Sequence, residues 1–350
     1  MLVKSISALS RAHHGALTAP YRAALRARRF RNAAYNAPAD APEVTTVTTV
    51  DGARLRVHSY GPADAEPIVL VHGWSCCIEY WHPQINSFAG RYRVIAYDQR
   101  GHGESTLGRA PLGDRTLADD LAAVLDATLR PGCKALLVGH SMGGITLQAW
   151  AARHPEQVAQ RARAVVLANT TSGNIRYDTD LLPLLNKPLT LGNQPLTLLG
   201  SPVRLPMIVA ESLLTSPLPL PGGWAAREVL KERIMARGAT SEQADFALSI
   251  VRSCRPLARG RHAALLADLE LGAAAAHLTV PTTIIAGRYD RLLPERMSRI
   301  IADTMRAAGQ RPDYQIWPTG HLGNIENAER FDTELTAILD RTSPRSAAAG

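Results

Sequence analysis

Short apolar runs recur along the chain, each followed by a polar or glycine-rich turn and then by a stretch of helical periodicity. Val44 to Val50 and Leu55 to Tyr60 alternate apolar and polar positions around Asp51-Gly52, the pattern of a half-buried hairpin. Strands and helices then alternate: strand 67–71, a helix near 79–89, strand 92–97, helix 116–129, strand 134–138, helix 142–153 and strand 164–168. Helix 116–129 keeps Leu117, Leu121, Val124, Leu125 and Thr128 on one face, with Asp119, Asp120 and Asp126 off it. Two more strands, 281–287 and 314–317, close the series. Continuous apolar runs mean burial on both faces, so the pattern predicts an α/β fold with a mainly parallel central sheet flanked by helices.

The rhythm breaks between about Thr171 and Leu278, an insertion between the sixth and seventh strands. Its first part holds eight prolines and twelve leucines between Pro183 and Pro221, with Lys187, Arg204 and Glu211 the sole charges. Proline at that density forbids a membrane-spanning helix and favours short helices and loops. The second part, Trp224 to Ala275, reads as two or three ordinary helices. The expected division is residues 43–170 and 279–341 as core, 171–278 as a mostly helical cap, 1–42 as an extension and 342–350 as a disordered tail.

Chemistry concentrates at the strand ends. Gly139-His140-Ser141-Met142-Gly143 is a G-x-S-x-G pentapeptide between a buried strand and a helix. In that setting the glycines permit a sharp turn that lifts the serine hydroxyl clear of the sheet edge. A serine needs a base to take its proton, and the base needs a carboxylate to fix its tautomer. Asp290 follows strand 281–287, and His321 follows strand 314–317. The order Ser141, Asp290, His321 is the one expected for this elbow. Strand 67–71 ends in His72-Gly73-Trp74, where the glycine lets the N–H of Trp74 turn toward the site. That N–H and the N–H of Met142 are the expected oxyanion donors, each worth roughly 3 kcal/mol in the transition state. Trp74 and Met142 are also the expected substrate-binding residues.

These segments, with Asp98-Gln99-Arg100-Gly101-His102-Gly103-Glu104-Ser105, make the chain resemble the α/β-hydrolase superfamily, in the lineage of bacterial esterases, lipases, haloperoxidase-like enzymes and carbon–carbon bond hydrolases. The resemblance runs from about Val44 to Asp340. It implies that D-x-R-G-x-G-x-S is a structural turn after the fourth strand and that the insertion is a cap. Asn327 departs from the family, where many members carry proline after the histidine loop. The serine at position 141 disfavours the epoxide hydrolase and dehalogenase chemistries, which use aspartate there.

Composition narrows the reading further. The formal charge is +8, but Lys4, Arg11, Arg22, Arg26, Arg28, Arg29 and Arg31 against Asp40 place +6 of it in residues 1–40. The body is close to neutral and has no aromatic-interleaved basic face, so nucleic acid is not an expected partner. The extension lacks the uninterrupted apolar stretch of a secretory signal. Its make-up suits a transit peptide, peripheral contact with anionic membrane, or a partly helical arm packed on the domain. A cytoplasmic location, with or without that membrane contact, is expected, and the oligomeric state is open. Cys76, Cys77, Cys133 and Cys254 show no ligand spacing and indicate no disulfides. No metal or nucleotide motif appears, and the acyl-transfer route needs no cofactor. His72 and His102 read as hydrogen-bonding turn residues, Glu326 as a helix-start acid, and Asp98 and Glu104 as acids on the wrong strand for the triad. The expected activity is cleavage of a small-molecule carboxylic ester with an apolar acyl group, through an acyl-enzyme. Carbon–carbon bond or thioester cleavage by the same triad, and a ligand receptor retaining a slow triad, are the alternatives.

Overall fold

A computed structural model describes residues 17–179 and 220–343, together with four two-residue strand pieces between 190 and 202. Eight strands form one sheet: β1 (Glu43–Thr48), β2 (Arg54–Tyr60), β3 (Pro67–Val71), β4 (Arg93–Tyr97), β5 (Ala135–His140), β6 (Ala162–Ala168), β7 (Thr282–Gly287) and β8 (Asp313–Trp317). Their spatial order is β1-β2-β4-β3-β5-β6-β7-β8. The β1–β2 and β2–β4 pairs are antiparallel, and every other pair is parallel. The half-buried hairpin therefore sits at one edge, and the continuous apolar runs lie inside, as their burial demands.

Period-2 alternation divides the strand side chains between two apolar layers. Ile68, Leu70, Leu136, Val138 and Val166 face one, whereas Val69, Val71, Leu137, Val165 and Leu167 face the other. The helices that cover them are α1 (17–27), α2 (His82–Phe88), α3 (Asp114–Thr128), α4 (Met142–Arg153), α5 (Pro155–Arg161), α6 (Trp224–Ile234), α7 (Ser241–Ser253), α8 (Pro256–Asp268), α9 (Glu295–Ala307) and α10 (Ala328–Thr342). The predicted helix near 79–89 is instead a 3-10 turn, Ile78–Trp81, followed by the short α2, with Pro83 in its first turn. Among the described residues, no helix is long and apolar enough to cross a membrane.

The interval between β6 and β7 contains α6, α7 and α8. Most of the leucine- and proline-rich stretch from Leu181 to Pro221 lies outside the described residues, as do residues 1–16 and 344–350. The described part of the N-terminal extension is packed against the body. Leu25, Phe30 and Tyr35 are buried in the same apolar layer as Trp81, Phe246 and Phe331. Arg22 and Arg26 both pair with Glu104, Arg26 also pairs with Glu79, and Arg28 pairs with Asp245.

Candidate active site

The turn between β5 and α4 is as sharp as its glycines allow. Ser141 sits at φ 53°, ψ −119°, a conformation that L-residues rarely adopt and one that costs on the order of 1–3 kcal/mol. A side chain at Gly143 would place its Cβ 2.0 Å from the Val71 carbonyl oxygen, and one at Gly139 would meet Gly143 at 2.6 Å. The strain is held by bonds on both sides of the residue. The Ser141 N–H donates to the Ala168 carbonyl (2.9 Å), and Thr170 Oγ1–H donates to the Ser141 carbonyl (2.7 Å).

His321 lies just past β8, and its Nδ1–H donates to Asp290 Oδ2 at 2.8 Å, both side chains being buried. Asp290 is held by three more donors: the Leu292 and Leu293 N–H groups on Oδ1 (2.9 and 2.8 Å) and Asn169 Nδ2 on Oδ2 (3.2 Å). His140, the residue before Ser141, packs on the histidine. Its ring is 4.9 Å from that of His321, and its Nε2–H donates to the His321 carbonyl at 2.8 Å. Burial and the neighbouring His321 push its pKa well down, so it acts as a neutral prop. Ser141, Asp290 and His321 thus gather at the C-terminal ends of β5, β7 and β8, where sheets of this kind place their ligands.

The loop after β3 is oriented by a histidine of defined tautomer. The Gln99 N–H donates to His72 Nε2 (3.0 Å), so Nδ1 carries the proton and donates to the Gly73 carbonyl (2.7 Å). In a trans peptide the C=O and the following N–H point opposite ways. Fixing the Gly73 carbonyl therefore fixes the Trp74 N–H. The ideal Cβ position of Gly73 is 3.1 Å from Ser141 Cβ, which puts this peptide against Ser141. Gln99 also bonds the His72 carbonyl (2.5 Å) and accepts from Thr146 on α4 (2.8 Å), bracing loop and helix together. The Met142 N–H opens α4, where helix geometry supplies no intrahelical partner. The Met142 side chain is fully buried with Ile145, Leu266 and Leu269, and Trp74, Ile175 and Leu265 pack against that cluster. Trp74 Nε1–H donates to the Arg259 carbonyl of α8 at 3.0 Å, tying the loop to the inserted helices.

A family model described as alpha/beta hydrolase fold matches residues 66–328. The chain belongs to that family. It is 38% identical over 143 residues to a non-heme chloroperoxidase of Streptomyces lividans, covering 40% of this chain and 50% of that protein. It is also 38% identical over 117 residues to a bifunctional esterase/perhydrolase of Acinetobacter calcoaceticus, covering 33% and 42%. The matches thus span half or less of these relatives' length. Among solved structures, a thermophilic esterase of Thermogutta terrifontis superposes with a TM-score of 0.65 at 21% identity, over 86% of this chain and 99% of its own. The enol-lactonase of Burkholderia xenovorans LB400 gives 0.62 at 22%, over 84% and 99%. At these identities the two structures speak to the fold.

Within this alpha/beta hydrolase, several residues hold the site without having announced themselves. Asn169 bridges Asp290 Oδ2 and the Gly320 carbonyl (3.2 and 3.0 Å), fixing the acid relative to the histidine loop. Gln99, inside the D-x-R-G-x-G-x-S turn, braces the loop after β3 against α4, a role that no sequence motif signals. Glu326 stands in the first turn of the short helix Gly323–Glu326, a helix-start acid, and Asn327 caps α10; the Glu326 carboxylate also turns back onto the loop around His321. Asp98 is a buried structural acid that accepts from the Ile78 and Glu104 N–H groups and pairs with Arg56 at 2.6 Å. His154 pairs with Asp119 at 2.9 Å on the surface. Cys76, Cys77 and Cys254 are buried, and burial raises their thiol pKa values, Cys76 to above the normal range and Cys254 to about 11; such thiols are poor nucleophiles.

Proposed function

We propose that this hydrolase cleaves carboxylic esters by a two-step acyl-enzyme route. Ser141 Oγ attacks the acyl carbon as its proton passes to His321 Nε2. That proton then leaves with the departing alcohol. Water, deprotonated by the same nitrogen, attacks the acyl-enzyme, and the acid departs as Ser141 regains its proton. Asp290 orients His321 and stabilises the imidazolium that forms. The N–H groups of Trp74 and Met142 receive the oxyanion. The observation that supports the reading is the strained Ser141, next in the chain to His140, whose ring lies 4.9 Å from that of His321, together with the bond from His321 Nδ1 to a four-donor carboxylate. The preference for an apolar acyl group is read from the apolar cluster of Met142, Ile145, Leu266 and Leu269, against which Trp74 packs. Each methylene buried there contributes about 0.8 kcal/mol.

A fluorophosphonate probe and a p-nitrophenyl ester series from C2 to C12 test both statements. We expect labelling confined to Ser141, a kcat about 10⁴-fold lower or worse in Ser141→Ala, and kcat/KM rising from acetate to medium chains. Label on another residue refutes the nucleophile. A steady decline from acetate refutes the apolar acyl pocket.

A further inference from the structure

The backbone of His321 is gripped from both sides, and one carboxylate does much of the gripping. Glu326 Oε2 accepts from the Gly320 N–H at 2.8 Å, and Oε1 accepts from the Leu322 N–H at 3.0 Å, so the N–H groups of the two residues on either side of the histidine end on a single side chain. The same Oε2 accepts a third bond, from the Ala236 N–H, also at 2.8 Å. Ala236 stands just beyond α6, in the inserted region ninety residues earlier in the chain. The contact is reinforced directly, because the His321 N–H donates to the Ile234 carbonyl at 2.7 Å. Gly320 has no side chain where one would clash: its Cβ would lie 2.6 Å from the Ile234 oxygen and from Met235. From α7, Gln243 Nε2–H bonds the Ile325 and Glu326 carbonyls at 2.9 and 3.1 Å.

We infer that Glu326 is a positioning residue: it fixes the His321 peptide unit and makes the placement of the base depend on how the end of α6 is seated. The inference rests on the reading of Ser141, His321 and Asp290 given above. Three converging N–H donors require an acceptor with several lone pairs and no proton of its own. A glutamine amide has one acceptor oxygen and an NH₂ group that would face a donor. An aspartate keeps the charge but is one methylene too short to span all three N–H groups. A loop loosened in this way leaves His321 free to drift, and small misplacements of a general base cost rate far more than binding.

The test compares wild type, Glu326→Gln and Glu326→Asp by turnover per fluorophosphonate-titrated site and by the low-field ¹H NMR resonance of the His321 Nδ1–H to Asp290 hydrogen bond. In Glu326→Gln we expect kcat to fall roughly 10- to 100-fold with KM changed less than about threefold, and the low-field proton to broaden or vanish. Glu326→Asp should fall between. Titrating live sites removes any unfolded fraction from the comparison, and the aspartate variant stands in if the glutamine variant does not fold. Unchanged kcat and an unchanged low-field proton overturn the inference while leaving the triad in place. A wild type that neither labels nor turns over removes the triad reading instead. In that event the low-field proton still decides, since its persistence in both variants rules out the clamp.

Discussion

At the scale of single residues, His72 and His102 show how the site is kept rigid by groups that never meet a substrate. Both are buried and neutral, with burial lowering their pKa values to about 4 and about 3. His102 accepts the Ser75 N–H at 3.1 Å, one residue beyond Trp74, the proposed oxyanion donor. Their folded pKa values lie below the unfolded value near 6.5, so the unfolded chain takes up more protons as pH falls. Stability is therefore whole above about 6.5 and is lost on acidification toward 4, at about 1.4 kcal/mol per pH unit for each imidazole. Thermal melts between pH 7 and 4.5 should show that decline, and His102→Gln should flatten it, since glutamine can keep a bond to Ser75 without titrating. Equal slopes in the two proteins would exclude His102 as a contributor. Ser141, Asp290 and His321 could be proposed from sequence because acyl transfer obliges particular residue types at strand ends in a particular order. Glu326, Asn169 and Gln99 could not. Each works through bonds to backbone or to distant side chains, and any acid or amide is an unremarkable letter until the chain closes around it.

Among the elements, the elbow between β5 and α4 is where the packing tolerates least. Gly143→Ala would push a methyl group into the Val71 carbonyl of β3, so neither strand nor helix can keep its place. We expect a loss of about 3 kcal/mol or more, seen as poor soluble yield or a sharply lowered Tm. Gly113→Ala, at the start of α3 where nothing lies within 4 Å of the added atom, should be close to neutral. If the two variants melt alike, the close approach at Gly143 is not what holds the elbow. The sheet itself was legible, because fully apolar runs of five or six residues leave little choice but a doubly covered parallel strand. The predicted helix near 79–89 was less so. Its hydrophobic positions suit a helix, but Glu79 is drawn to Arg26 and Arg56 while Asp98 takes the Ile78 N–H, and the segment starts as a 3-10 turn. Tertiary ion pairs of that kind leave no periodicity behind.

For the molecule as a whole, residues 17–36 join parts that are far apart in the chain. Glu104 is the meeting point: Arg22 and Arg26 of α1 reach it from one side, and Arg255, at the start of α8, from the other at 3.1 Å. Tyr35 stacks on Phe246 of α7 at 4.8 Å, and Phe30 meets the same ring edge-on at 5.4 Å. Burying Leu25, Phe30 and Tyr35 stabilises the fold by about 1.5–3 kcal/mol each. Removing residues 1–36 should therefore lower Tm by on the order of 10 °C, measurable by calorimetry. An unaltered Tm would mean that the arm lies on the body without holding it. The excess of arginine visible in the sequence suggested a leader, and only the placement of Glu79, Glu104 and Asp245 shows several of those charges already matched. The arm has a further consequence in time. It is synthesised before every one of its partners, and Phe246 follows Phe30 by more than two hundred residues. The Tyr35 turn can meet α2 early, through His82 and Asn86, but until α7 has left the ribosome Phe30 and Tyr35 lack the Phe246 ring that completes their packing, so the nascent chain carries a partly covered aromatic and basic segment that chaperones can recognise. Docking of that segment is a late event, after the sheet that it covers.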